Sequence, residues 1–363
     1  MLRLSRIRFS SKGSKNDILV YLCANIANFG RQDNAIALIC NFEKGILFLI
    51  FKLPKLPNAM LKQLAYCVLI TVFLTLKTSA QLAISNLELL DELKATTTLV
   101  FMPASDTVKH QIYRELMEEH WKLTPMKFLS YSQYTEYKYK KGYSYMLFGD
   151  DFINDGTSFS SYVYFELWHW HADKDNWDKR RKVQLARMEL YPDPETTFDP
   201  DLIYDYRYST EGHIFNWSPG MFKNYMQLIS RDISKGITRT AAKAETLVEE
   251  LKLMKDQTLY IPEYTFEQHN SNQKSLGFTP AAEMMADYPY KYKVVKNDEL
   301  SKMIAESEGK IYYLLFVRSN SDKYLAVMEG HDGNIVYHRH TPQSINVKRS
   351  DIKKLAKVIS EGK

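Results

Sequence analysis

Apolar residues recur along the chain as short β-rich runs and as segments with helical spacing. Thr97–Met102 reads as a buried strand, and Asp106–His120 reads as a helix with apolar residues four positions apart. Strands at Met126–Leu129 and Tyr143–Phe148 follow, with a weak helix at Ser132–Tyr139 between them. This order predicts a β-α-β-α-β unit, which is typical of a parallel sheet.

The same order of elements returns in the second half of the chain. The first unit also contains two longer strands, at Tyr162–His171 and Val183–Tyr191. The later elements are strands at Thr258–Ile261, Tyr292–Val295 and Ile311–Val317, helices at Pro280–Ala286, Asp298–Glu306 and Asp351–Ser360, and a hairpin of Tyr324–Glu329 and Asn334–His340. Phe128 aligns with Val294 at an offset of 166 and Phe148 with Phe316 at 168, and we expect all four to be buried. We therefore predict an α/β fold of two similar units that arose by duplication.

Each unit is expected to be a mixed sheet with a parallel β-α-β-α-β core plus antiparallel strands. Ser218-Pro219 is a typical helix start, and apolar residues on one face follow it. The prediction is a first α/β unit at 81–217, a helical connector at 218–256 and a second α/β unit at 257–363.

Residues 60–80 have the three parts of a secretory signal peptide. A basic start at Met60 to Lys62 precedes the 13 apolar residues Leu64–Leu76, and small residues stand at Thr78 and Ala80. This predicts cleavage near Ala80–Gln81 and a periplasmic or extracellular bacterial protein. A membrane anchor is the alternative, although a bilayer span needs about 20 residues.

Residues 1–59 precede this signal, where no chain is expected. We interpret them as a gene-start artefact; a long targeting extension or a small disordered head are the alternatives.

Charge and cysteine content change once residues 1–80 are set aside. Residues 1–80 carry a net charge of +8. Because the whole chain carries +5, residues 81–363 carry −3. An acidic chain has no bulk attraction for phosphate backbones, so nucleic acid is not an expected partner. All three cysteines, Cys23, Cys40 and Cys67, also lie before residue 81. This excludes disulfides, cysteine-ligated metals and cysteine nucleophiles from the mature chain.

One predicted strand carries a possible metal site. His169 and His171 alternate along it, so both side chains point to one face, and Asp173 follows two residues later. Imidazoles with this spacing can converge on zinc or another divalent cation. Histidines exposed at a strand end are the alternative, and a divalent metal is the one cofactor that the sequence suggests.

Acids at the ends of predicted parallel strands are the catalytic candidates. Ser105 and Asp106 follow the first strand, and Asp150 and Asp151 follow the third. Open α/β sheets bind ligands at these ends. Ser105 and Asp106 are also explained as the start of a helix, and no phosphate loop, nucleophile elbow or zinc-protease motif is present.

An aromatic strip alternates with the histidines. Tyr162, Tyr164, Trp168 and Trp170 share the opposite strand face, and could bind a glycan or peptide or pack in the core. We predict an exported, non-catalytic binding or interaction protein whose partner is a protein or a small ligand, with no membrane span in the mature chain. The alternative is a metal-assisted hydrolase that uses the His-x-His strand.

Overall fold

The computed structural model describes residues 81–102, 107–154, 159–172, 176–205, 207, 213–240, 245–270 and 274–362, together with the backbone of residues 35–42 and 45–52. These residues fall into two compact units. The smaller unit holds an antiparallel hairpin of β1 (Ala35–Phe42) and β2 (Gly45–Lys52). The larger unit holds two six-stranded sheets. The predicted signal peptide, residues 60–80, lies outside the described residues.

The first sheet is built from the first half of the larger unit. Its strands are β3 (Leu82–Ile84), β4 (Thr97–Phe101), β5 (Met126–Leu129), β6 (Tyr143–Asn154), β7 (Phe159–His171) and β8 (Arg181–Glu189). The helices of this half are α1 (Leu90–Lys94), α2 (Thr107–His120), α3 (Tyr134–Tyr137) and α4 (Pro194–Phe198). The strand order is β5-β4-β6-β7-β8-β3. Helix α5 (Pro219–Ser234) follows, with the Ser218 hydroxyl accepting the Met221 N–H as its N-cap.

The second half repeats this construction. Its strands are β9 (Glu245–Thr246), β10 (Leu259–Pro262), β11 (Glu267–His269), β12 (Ser275–Phe278), β13 (Tyr292–Val295), β14 (Tyr312–Ser319), β15 (Asp322–Glu329) and β16 (Asn334–Thr341). Its helices are α6 (Val248–Leu253), α7 (Ala281–Met284), α8 (Asn297–Glu306) and α9 (Arg349–Glu361). The second sheet has the order β13-β10-β14-β15-β16-β9, and β11 and β12 form a separate hairpin.

Strand order and direction agree between the two sheets. In the first sheet β4 is parallel to β5 and to β6, and in the second β10 is parallel to β13 and to β14. The last strands of each sheet, β7 with β8 and β15 with β16, pair antiparallel. All eight residues of β14 are buried, as expected for a central strand covered on both faces. The predicted mixed α/β fold is therefore confirmed.

Registers in the two sheets correspond as well. Thr98 lies opposite Met126 and Ser144, and Leu259 lies opposite Tyr292 and Tyr312, which agrees with the offsets of 166 and 168.

A β-bulge also recurs in the antiparallel strands. The register shifts between Leu167 and Trp168 on β7, and between Val327 and Met328 on β15. When the two shifts are aligned, His169 is equivalent to Glu329. Duplication remains our prediction for the origin of these likenesses.

The core runs through both halves without interruption. Phe148 and Phe316 are fully buried in it, as predicted. The prediction was wrong for Phe128 and Val294, which are only half-buried because β5 and β13 are the edge strands of their sheets. A smaller cluster of buried aromatic and aliphatic residues covers the other face of the first sheet.

Helix α5 connects the two halves by packing against α2 and α8. Gly220 makes the second contact possible, since an added Cβ would lie 2.9 Å from the Ile304 Cβ. The predicted connector at 218–256 also contains a strand, β9, which pairs with β16. The division into separate domains stays a prediction. In the described part of the chain, no helix has the length and apolar character required to cross a bilayer.

Candidate functional site

A cavity of about 520 Å³ opens at the amino ends of β4 and β6. The end of β7 and the loop that follows it form the opposite wall. Its lining residues are Glu92, Ala95, Thr96, Lys141, Gly142, Tyr143, His169, Trp170, Ala172, Asn176 and Trp177. We call it the His169 pocket. Its volume lies within the range of roughly 300–1,000 Å³ that small-molecule sites occupy.

His169 is the buried polar residue of this pocket, with only 1% of its surface exposed. Its Nδ1 lies 3.2 Å from the Trp170 carbonyl oxygen. Burial lowers the pKa of His169, while the Trp170 carbonyl and Glu92 act in the opposite direction. The ring is therefore neutral at pH 7, and the carbonyl, which can only accept, places the proton on Nδ1.

The second nitrogen of His169 is consequently a hydrogen-bond acceptor. Its Nε2 is buried and has no hydrogen-bond partner. Buried polar atoms in proteins nearly always have a partner, and one without a partner needs a physical explanation. Because the residue lines the cavity, a ligand that donates a hydrogen bond is a sufficient explanation.

Indole rings form the wall beside this histidine. Trp170 Nε1 donates to the Lys138 carbonyl at 2.5 Å, and Trp177 Nε1 donates to the Tyr139 carbonyl at 3.0 Å. The guanidinium of Arg180 lies 5.3 Å from the Trp170 ring and 5.7 Å from the Trp177 ring. These contacts hold both indoles in place and use their N–H groups. A ligand can therefore contact the ring surfaces of Trp170 and Trp177, but not their N–H groups.

The proposed metal ligands come together only in part. His171 Nδ1 lies 2.9 Å from both carboxylate oxygens of Glu92, so this imidazole is held by an acid beside the pocket. Asp173 is outside the described residues. Across the residues that the structure does describe, no group of three or more His, Cys, Asp or Glu side chains could hold a metal ion.

Three of the four aromatic candidates take part in packing away from the pocket. Trp168 is buried and stacks on Tyr145 with ring centroids 4.2 Å apart. Tyr164 is buried beneath the Arg187 guanidinium at 3.7 Å, and Tyr162 is half-buried. Only Trp170 reaches the pocket.

The acidic candidates lie elsewhere on the sheet. The prediction that Asp150 and Asp151 follow the strand was wrong, because β6 continues to Asn154 and contains both. Both are exposed, and Asp151 pairs with Arg187 at 2.5 Å. Desolvation of the carboxyl group, then the nearby Asp201 and Asp151, raise the pKa of Asp150. Tyr143 at the pocket is eight residues before Asp151 along β6, a span of roughly 26 Å in an extended strand. Ser105 and Asp106 are outside the described residues.

Sequence reasoning missed most of the pocket wall. Glu92, Tyr143 and Trp177 come from an α-helix, the start of a strand and a short 3-10 helix, and no sequence spacing connects them. The sequence favours a site at the carboxyl ends of the parallel strands, where ligands in open α/β sheets usually bind, and not at their amino ends. The chain matches no model of a known protein family, no curated protein and no solved structure.

Proposed function

We propose that the chain from Gln81 onward is an exported, non-catalytic binding protein whose ligand occupies the His169 pocket. The buried, unpartnered Nε2 of His169 carries this proposal. The ligand class that fits best is a saccharide of one or two rings. A hydroxyl of the sugar donates to Nε2, and a flat face of the ring lies against indole surface.

The expected affinity is modest. A neutral hydrogen bond contributes about 0.5–1.5 kcal/mol net, and each aromatic contact adds a comparable amount. Such a pocket binds its ligand with a dissociation constant on the order of millimolar.

Binding is favoured over metal-assisted hydrolysis by two observations. His171, the second imidazole of the predicted metal pair, is held by Glu92 at 2.9 Å. Asp150 and Asp151, the acids that hydrolysis would recruit, lie at the far end of β6. A hydrolytic metal site needs three protein ligands and an open position for water.

The test is a titration of intrinsic tryptophan fluorescence with mono- and disaccharides, using the purified full chain. We expect at least one sugar to bind, and His169→Gln and Trp177→Ala each to weaken it by about two- to tenfold. His331→Gln, at an exposed histidine on the β15–β16 turn, is the matched control. Melting curves establish that each variant is folded.

Two results would reject the proposal. One is sugar binding that the pocket variants leave unchanged. The other is stoichiometric zinc in the purified protein that a His169→Ala, His171→Ala double variant loses, which would support the hydrolase instead.

Export is tested separately, by expression from Met60 in a bacterial host. We expect a processed chain that begins near Gln81, since residues 60–80 have the composition of a cleavable signal. N-terminal sequencing reads the result. A mature form that retains residues 1–59 when the whole gene is expressed contradicts both the start site and the export prediction.

A further inference from the structure

A second crevice, independent of the His169 pocket, lies in the second half of the chain. It has a volume of about 670 Å³ and opens at the carboxyl ends of β10 and β13, where Glu263 and Asn297 follow the strands. This is the end at which open α/β sheets bind ligands. Nothing in the His169 pocket proposal depends on it.

The walls of this crevice are largely aromatic. Tyr264 and Phe266 are buried at its base, and Phe215 stacks on Tyr264 with centroids 5.6 Å apart. Phe278 stands on the β11–β12 hairpin at the mouth, with 65% of its surface exposed. At the mouth of the crevice, this ring is accessible to a ligand that enters it.

The polar groups of the crevice are almost all acceptors. Glu263 and Glu267 contribute carboxylates. The Asn297 amide N–H group donates to the Phe215 carbonyl at 2.7 Å, which leaves its Oδ1 buried and unpartnered. The Thr279 hydroxyl can act as donor or acceptor. Among the described residues that line the crevice there is no Lys, Arg or His.

Two basic residues, His269 and Arg318, lie near Glu267 but do not line the crevice. His269 Nε2 lies 3.4 Å from Glu267, and burial and then Arg318 lower the pKa of His269, so this ring is neutral at pH 7 and adds no positive charge, although one of its nitrogens still carries a proton. The Arg318 guanidinium lies over the Tyr191 ring at 4.7 Å and is not part of the crevice wall. Since neither residue lines the crevice, a ligand that carries its own positive charge and N–H groups is the best match for Glu263 and Asn297 Oδ1.

We propose that this crevice binds a primary ammonium ion carried on an apolar body. The ammonium group donates to the Glu263 and Glu267 carboxylates and to Asn297 Oδ1, and the apolar body packs against Phe266 and Phe278. Aromatic rings beside the carboxylates stabilise the same charge through cation–π attraction. An anion of the same shape is rejected, since it would face two carboxylates and an amide oxygen.

The test compares three probes of similar shape by isothermal titration calorimetry on the full chain: 2-phenylethylammonium, 2-phenylethanol and 3-phenylpropanoate. We expect the ammonium ion to bind at least about tenfold more tightly than the alcohol, and the carboxylate to show no binding. Glu263→Gln, at an exposed position, and Glu267→Gln should each weaken ammonium binding and reduce its preference over the alcohol.

Matched controls separate this site from the rest of the molecule. Glu249→Gln removes an exposed carboxylate on α6 and should leave ammonium binding unchanged, as should His169→Gln. Equal affinity for the three probes, unchanged binding in the Glu263→Gln, Glu267→Gln double variant, or no binding of 2-phenylethylammonium at about 10 mM would each overturn the proposal. Failure here would leave sugar binding at the His169 pocket unaffected.

Discussion

The two halves of the larger unit have the same strand order, yet their crevices lie at opposite ends of the parallel strands. The first half opens at the amino ends of β4 and β6, and the second half opens at the carboxyl ends of β10 and β13. Shared topology determines where strands begin and end. The side chains at those ends decide which crevice remains open.

The amino end illustrates this difference at one pair of positions. His169 and Glu329 occupy equivalent places on β7 and β15. Glu329 accepts the backbone N–H groups of His331 and Asp332, both at 2.8 Å, so its carboxylate is satisfied within the fold. The Nε2 of His169 has no such partner. At these equivalent positions, Glu329 has hydrogen-bond partners among the described residues and His169 Nε2 has none. This difference indicates that the first half is the one open to a ligand at its amino end.

At the carboxyl ends of the parallel strands, the first half is closed and the second half is open. Tyr131 follows β5, and its ring stacks on Tyr204 with centroids 3.6 Å apart, filling that side of the first sheet. The offset of 166 places Asn297 at the equivalent position after β13. Its short side chain binds the Phe215 carbonyl and leaves a crevice in front of it.

The largest expected effect comes from a charge in the shared core. Phe148→Asp and Phe316→Asp each place an unpaired carboxylate among buried residues, at a cost of at least about 4 kcal/mol. Because one core contains both residues, we expect either change to unfold both halves in a single transition. Urea denaturation followed by tryptophan fluorescence and by far-UV circular dichroism measures this. If one half stayed folded in either variant, the halves would be independent domains.

A smaller effect is expected where α5 crosses α8. Gly220→Ala would force the new Cβ against Ser301 and Ile304 and should destabilise the protein by about 1–3 kcal/mol. Gly309→Ala, where an added Cβ meets nothing within 4 Å, is the matched control and should change stability by less than about 0.5 kcal/mol. The midpoints of urea denaturation of the two variants, each compared with the unchanged protein, measure these effects. Equal effects would mean that this crossing does not hold the halves together.

The sequence predicted much of the fold because apolar β-rich runs and helical spacing mark most of the elements. Strands such as Met126–Leu129 and Tyr292–Val295 were predicted with the bounds that the structure has, and α5 begins after its Ser218 cap as expected. Elements of two or three residues were missed, because so few residues carry no period; β3, β9 and β11 are examples.

The candidate site was harder to predict than the fold. His169 and Trp170 were identified from alternation along one strand, and both line the pocket. Glu92 and Trp177 were not, since residues from separate elements meet only through tertiary packing. Burial also could not be read from alternation, and Trp168, two residues before Trp170, is part of an aromatic core.

The protonation state of His169 tests the central claim most directly. A long-range proton–nitrogen NMR spectrum, assigned with His169→Gln, reports which ring nitrogen carries the proton. Since burial lowers the pKa of His169 below the usual value of about 6.5, we predict a neutral ring at pH 6.5 with its proton on Nδ1. Adding the bound sugar should shift the Nε2 resonance of this histidine. A proton on Nε2, or a ring already charged at pH 6.5, would contradict the account.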